Sequence, residues 1–163
     1  MKLLRAVLVF ALLCLAVSPG AAYMITEFCA DGYAAGDGDE YFVLEGEGSL
    51  ASWSVTDGEG TVSFPAGSGR TVVARSAELY YQIHQTYPDF EIIDSMPSVP
   101  EVILTKRFQL ANSEDSLTLL QNGRAVQTVS WPADVDAGNG RIHRFTDGVW
   151  GMRVFKIGQS DFA

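Results

Sequence analysis

Asn122-Gly123 stands between two runs rich in β-forming residues, 116–120 and 125–131. Both central residues of a type I′ turn take positive φ, which Asn and Gly adopt at low cost. The twist of that turn also suits antiparallel strands. The sequence therefore predicts a hairpin here, led in by the small polar cluster Asn112, Ser113, Glu114 and Asp115. A hairpin this tight commits its segment to an antiparallel sheet, and much of the chain reads the same way. Strand-like runs fall at 24–29, 40–45, 51–56, 61–64, 71–75, 102–108, 116–121, 125–131, 141–145 and 149–156, separated by Gly, Asp, Ser and Pro. Short strands with turn residues between them indicate an all-β sandwich or barrel. The 16 glycines suit a chain with so many turns.

One segment breaks that pattern. Around 76–86, Ser76 offers an N-cap and Glu78 sits in the first turn. Ala77, Tyr80, Tyr81 and His84 follow at helical spacing until Pro88 ends the run. From 86 to 101 the chain reads as irregular, because Pro88, Pro97 and Pro100 restrict its backbone. A loop of that length inside a compact domain is functional or mobile. No repeat or low-complexity tract divides the sequence, so one domain is expected.

Residues 1–22 read differently. Lys2 and Arg5 flank the apolar run 6–17, and Pro19-Gly20-Ala21-Ala22 supplies small residues for cleavage, as in a secretory signal peptide. The run is shorter than the roughly 20 apolar residues of a spanning helix, and Cys14 lacks the preceding small residue of a lipid-attachment box. A secreted or cell-surface protein follows. Its mature part keeps only Cys29, expected as a small buried hydrophobe on the first strand rather than a catalytic thiol.

Charge is distributed unevenly. Residues 23–100 hold 13 acids and 2 bases, whereas 101–163 hold seven of each. An acidic chain lacks the basic footprint that phosphate neutralisation needs, so nucleic acid is not favoured as a partner. Arg141, Arg144, Arg153 and Lys156 form either a local basic patch or solvated strand positions.

Groups suited to catalysis are few. His84, on the helix, is expected as a partly packed surface residue, and His143 lies on a strand. Two His and one Cys so far apart show no metal-ligand spacing. Gly-x-Ser-x-Gly, a phosphate-cradling glycine loop and His-Glu-x-x-His are all absent from the sequence. No two acids are marked as a glycosidase pair. Trp53, Trp131 and Trp150 lie in strand patterns, where core packing is expected ahead of a sugar-binding platform. The acidic run 31–40 is the metal candidate. Asp31, Asp37, Asp39 and Glu40 on a glycine-rich loop offer oxygens of the kind calcium takes. Their spacing departs from the calcium loop of helix-loop-helix proteins, so a solvated connection between strands stands beside that reading. No other cofactor is expected.

These residues follow an order that resembles the lamin-tail domain, an immunoglobulin-like β-sandwich of nuclear lamins and many exported prokaryotic proteins. The resemblance runs through Ile25-Thr26-Glu27-Phe28, Asp39-Glu40-Tyr41, Leu50 with Trp53 and Asp57, and Phe64-Pro65. It continues through Thr71-Val72-Val73-Ala74 with the helix after it, Leu110-Ala111-Asn112-Ser113 with Asp115-Ser116-Leu117-Thr118-Leu119, and Gly140, Arg144 and Trp150. Val43 stands where relatives carry an acid shortly after Asp-Glu-Tyr. After the signal peptide read at 1–22, the resemblance implies an immunoglobulin-like sandwich with one inserted helix over 23–158, which leaves 159–163 as a tail or linker start. It also implies a non-enzymatic accessory module for binding or attachment, whose partner is an extracellular protein or surface ligand. The loops 31–40 and 86–101 are the expected contact surface.

The ending 154–162 resembles the junction where such a domain meets a phospholipase D-like catalytic region in exported archaeal proteins. That chemistry needs His-x-Lys. His84 is followed by Gln85-Thr86 and His143 by Arg144-Phe145, so the alternative is an accessory domain or fragment whose catalytic part is absent from this sequence.

Overall fold

A computed structural model of the chain describes residues 23–131 and 140–154. The segment 1–22, read from the sequence as a signal peptide, the expected tail 159–163 and all but Val154 of the junction-like ending lie outside them. In chain order come β1 (Met24–Cys29), β2 (Tyr41–Glu45), β3 (Trp53–Thr56), β4 (Thr61–Ser63) and β5 (Thr71–Ser76). Helix α1 (Ala77–His84), β6 (Phe90–Ile93), β7 (Ile103–Thr105), β8 (Asp115–Gln121) and β9 (Arg124–Trp131) follow. A last pair, β10 (Arg141–Thr146) and β11 (Val149–Val154), completes the set. They form a six-stranded sheet ordered β11-β10-β1-β2-β5-β6 and a five-stranded sheet ordered β7-β4-β3-β8-β9. The protein is a β-sandwich with one short helix.

The core explains the sequence pattern. Between the sheets lie Ile25, Phe28, Phe42, Leu44, Val55, Leu117, Leu119 and the indoles of Trp53 and Trp131. Phe28 meets Trp131 at 4.7 Å between ring centroids, and Tyr23 meets Trp53 edge-on at 5.4 Å. The opposite face of the six-stranded sheet is covered by α1, where Cys29, Tyr41, Val43, Val72, Ala74 and Ile142 pack around Tyr80. A strand buried on both faces reads as a continuous apolar run rather than an alternating one. The run Tyr41-Phe42-Val43-Leu44 is such a strand, with every member buried.

Two hairpins have the turn chemistry that antiparallel strands need. Asn122 (φ 50°) and Gly123 (φ 76°) join β8 to β9, as the sequence predicts. Asp147 (φ 52°) and Gly148 (φ 85°) join β10 to β11 in the same way. The strand expected over 102–108 is confined to Ile103–Thr105. There Lys106 turns into the left-handed region at φ 63°, and Gly60 approaches so closely that an added Cβ would lie 2.2 Å from the Arg107 carbonyl oxygen.

The irregular stretch expected over 86–101 contains a strand. β6 runs parallel to β5 because α1 carries the chain back across the sheet between them. Its anchor is Glu91, fully buried. The Glu91 carboxylate accepts from the main-chain N–H of Ala77 (3.1 Å), Ser95 (3.2 Å) and Met96 (3.1 Å), and from the Ser95 hydroxyl (2.5 Å). The first turn of α1 is thereby satisfied: Ala77 N–H by Glu91, Glu78 N–H by Ser95 Oγ and Leu79 N–H by the Ser76 cap. A carboxylate at a helix N-terminus also gains from the helix dipole. Burial acts to raise the Glu91 pKa, but the hydrogen bonds from Ser95, Met96 and Ala77 outweigh it and the net shift is downward. The ionised form therefore stabilises the fold at neutral pH, and that contribution is lost on acidification. Glu91→Ala removes the acceptor of three main-chain N–H groups and of the Ser95 hydroxyl, and urea unfolding at neutral pH is expected to show a loss of about 3 kcal/mol. A loss below about 1 kcal/mol would contradict this role.

Candidate functional site

The acidic loop 31–40 is held from within. Asp39 is buried and accepts from the main-chain N–H of Tyr33 (2.9 Å) and Ala34 (2.8 Å), closing the loop on itself. Glu40 turns inward, ion-paired with Arg75 at 3.3 Å and accepting from the Leu110 N–H at 3.2 Å. Asp31 and Asp37 share the side-chain amide of Asn112, which donates to one at 3.3 Å and to the other at 3.0 Å. The Asp31 carboxyl is raised, first by burial and then by Asp37 and Asp39, while Arg141 opposes the rise. The four carboxylates expected to bind calcium are thus divided among three separate tasks. Among the described residues no three His, Cys, Asp or Glu side chains are grouped to hold a metal ion. The arrangement does not fit a calcium loop built from Asp31, Asp37, Asp39 and Glu40.

The other candidate groups are dispersed. Cys29 is buried, and burial followed by the neighbouring Asp39, Asp31, Glu40 and Glu27 pushes its thiol well above the ordinary range. A thiol held protonated is a poor nucleophile. His84 stacks on Tyr80 at 4.2 Å and meets Tyr41 edge-on, on the helix-covered face of the six-stranded sheet. His143 stacks on Phe28 at 4.7 Å, on the face turned toward the second sheet. Burial, with Arg141, lowers its pKa. The two histidines therefore lie on opposite sides of one sheet. A depression of about 400 Å³ between Asp57, Glu59, Arg107, Gln109, Glu114 and Asp115 is polar, but its acids also serve the backbone. Asp57 accepts from Glu59, Gly60 and Gln109 N–H groups, and Asp115 from those of Ala111 and Ser116.

Exposed large apolar side chains occur singly or in pairs at Met24, Tyr87, Ile93, Ile103-Leu104 and Val126, and the largest set on one strand belongs to β11 of the β10–β11 hairpin. β11 is the outermost strand of its sheet and pairs only with β10 among the described residues. Its apolar side chains are exposed: Val149 by 66%, Trp150 by 38%, Met152 by 53% and Val154 by 53%. The sequence expectation that all three tryptophans fill the core holds for Trp53 and Trp131, at 4% and 3% exposed, and is corrected for Trp150. Trp150 reaches Phe28 at 5.5 Å and Phe145 at 5.6 Å, but among the described residues no strand lies beyond β11 in the sheet.

Three arginines flank this strand in an otherwise acidic domain. Arg144 is ion-paired with buried Glu27, which also accepts from the Tyr41 hydroxyl at 2.8 Å. Arg141 and Arg153 stand opposite Val154 and Ile142 in the β10–β11 register. Arg144, Thr146, Val149, Gly151, Met152 and Arg153 line a depression of about 250 Å³ along the edge.

Compared with protein-family models, curated proteins and solved structures, the chain matches none.

The loop's inward carboxylate gives a pH signature. Burial pushes Glu40 from 4.5 up to about 8, against the pull of Arg75 and the Leu110 N–H. A raised acid pKa means the folded chain keeps a proton that the unfolded chain releases. This contribution to stability is full below about 4.5 and falls away as pH rises to about 8. Urea midpoints at pH 5.5 and 8.5 are expected to fall more in the native protein than in Glu40→Gln. Equal falls would contradict the assignment.

Proposed function

We propose that this chain is an exported, non-catalytic β-sandwich module of lamin-tail type, which binds or attaches to an extracellular protein or surface ligand through its β10–β11 hairpin. The observation that carries the reading is the outermost strand β11, with four apolar side chains in solvent beside three arginines. An exposed apolar patch with polar surroundings marks an interaction surface more often than a catalytic one. Export is supported by the charge and apolar pattern of 1–22. The lamin-tail reading is supported by the ordered residues from Ile25 to Trp150.

A binding role also suits the way the reactive side chains are used. The buried carboxylates hold backbone amides, the thiol is kept protonated, and the histidines are stacked on separate faces. The loops 31–40 and 86–101, expected from the sequence to form the contact surface, are pinned from within by Asp39, Glu40 and Glu91. That favours the hairpin as the surface instead.

Purified mature chain mixed with the cell-envelope fraction of the producing cells is expected to co-sediment. Trp150→Ser with Met152→Ser should reduce retention at least tenfold while leaving the circular dichroism unchanged. Retention that survives the double substitution would refute the hairpin as the surface. Turnover of ester, glycoside or phosphodiester substrates by the pure protein would refute the non-catalytic reading.

A further inference from the structure

The chemistry of the partner can be read from the two sides of β11. In a hairpin closed by two turn residues, Thr146 and Val149 form the first hydrogen-bonded pair, so Val149, Gly151 and Arg153 direct their main-chain groups toward β10. Trp150, Met152 and Val154 then direct theirs away from the sheet. This edge carries one charge, Arg153, but no proline, no bulge in the β10–β11 register and no covering strand among the described residues. The far edge of the same sheet differs. There Glu91 of β6 exchanges main-chain hydrogen bonds with Pro100 and Val102.

The side chains alternate between the faces. One face carries Trp150 and Met152, aligned with Phe145 and His143 of β10. The other carries Val149, Gly151 and Arg153, aligned with Thr146, Arg144 and Ile142. Gly151 leaves a gap in that second face. A Cβ built there meets only the Arg144 carbonyl oxygen, at 3.9 Å. The gap opens the depression of about 250 Å³ between Arg144 and Arg153. The hairpin holds three arginines and a single acid, Asp147, at its tip.

We propose that β11 takes up an extended acidic peptide as an added strand, in which carboxylate side chains alternate with apolar ones. This rests on the recognition reading above and names its partner class. Main-chain hydrogen bonds to Trp150, Met152 and Val154 supply affinity, as in other strand-addition complexes. Alternate side chains of the peptide fall on alternate faces. The carboxylates lie over the Gly151 gap between the two guanidinium groups, and the apolar residues lie on Trp150 and Met152. A second copy of the chain fits this edge less well, because β11 offers no carboxylate to the Arg153 of its partner. An anionic membrane surface fits less well too, since it would use one apolar face whereas β11 is exposed on both.

Fluorescence anisotropy with labelled eight-residue peptides tests this on the mature protein. A peptide alternating Glu and Val is expected to bind at least tenfold more tightly than one alternating Lys and Val. It should also exceed, by the same factor, a peptide with four Glu followed by four Val. Met152→Pro removes one outward N–H and should abolish binding, whereas Met152→Ala should retain it within about threefold. Gly151→Val fills the gap in a residue that strands favour, and should weaken the Glu–Val peptide at least tenfold with the circular dichroism intact. Equal binding of the Lys–Val peptide, or full binding by Met152→Pro, overturns the proposal. So does uptake by phosphatidylglycerol vesicles without peptide binding, or a dimer that Met152→Pro dissociates. If no peptide binds while envelope retention still depends on Trp150 and Met152, strand addition is wrong and the recognition surface stands. If that dependence is lost as well, both fall.

Discussion

Buried carboxylates that accept hydrogen bonds from main-chain amides hold this structure together outside its strands. Asp39, Asp57 and Glu91 each bind two or more N–H groups of neighbouring irregular segments, and Glu40 reaches the Leu110 N–H from 70 residues away. A sandwich must connect its sheets by turns and crossings whose amides have no ladder partner, and a buried unpaired amide costs about as much as a lost hydrogen bond. An ionised acceptor makes the stronger version of that bond, as at Glu91, whereas burial raises the pKa of Glu40 to about 8. Part of the acidity of residues 23–100 is thus structural, carried by Asp39, Glu40, Asp57 and Glu91.

The same constraint bears on the surface proposed for recognition. Acids pin the loops 31–40 and 86–101 from within, and although Tyr87 and Ile93 are exposed there, the largest exposed apolar set on one strand is Val149, Trp150, Met152 and Val154 of β11. Glu27 contributes directly, because its buried carboxylate binds both Tyr41 on β2 and Arg144 on β10. That link fixes the hairpin against the sheet while β11 projects beyond it. A rigid support with an outermost strand at its edge suits the binding role proposed above.

Much of the fold was legible because local chemistry dictates it. Asn122-Gly123 specifies its turn, Ser76 specifies the start of α1, and the apolar run Tyr41–Leu44 marks a strand buried on both sides. β6 was not legible. Its central residue is a glutamate, and the partners that justify burying it, Ala77 and Met96, belong to other segments. The loop acids were misleading for a related reason. Sequence shows that Asp31, Asp37, Asp39 and Glu40 are close along the chain, but it cannot show that two of them face inward toward amides and an arginine. Trp150 sits in a strand pattern like Trp53 and Trp131, and only the strand order reveals that among the described residues no strand lies beyond β11.

The account depends most on the claim that loop amides are held by acids rather than by solvent. Native-state amide hydrogen exchange measures this residue by residue. The N–H groups of Tyr33, Ala34, Gly60, Ser95, Met96, Gln109 and Leu110 are predicted to exchange as slowly as those in the interior of β2 and β8. Exchange of these amides at rates near those of an unstructured peptide, while the strands remain protected, would contradict it.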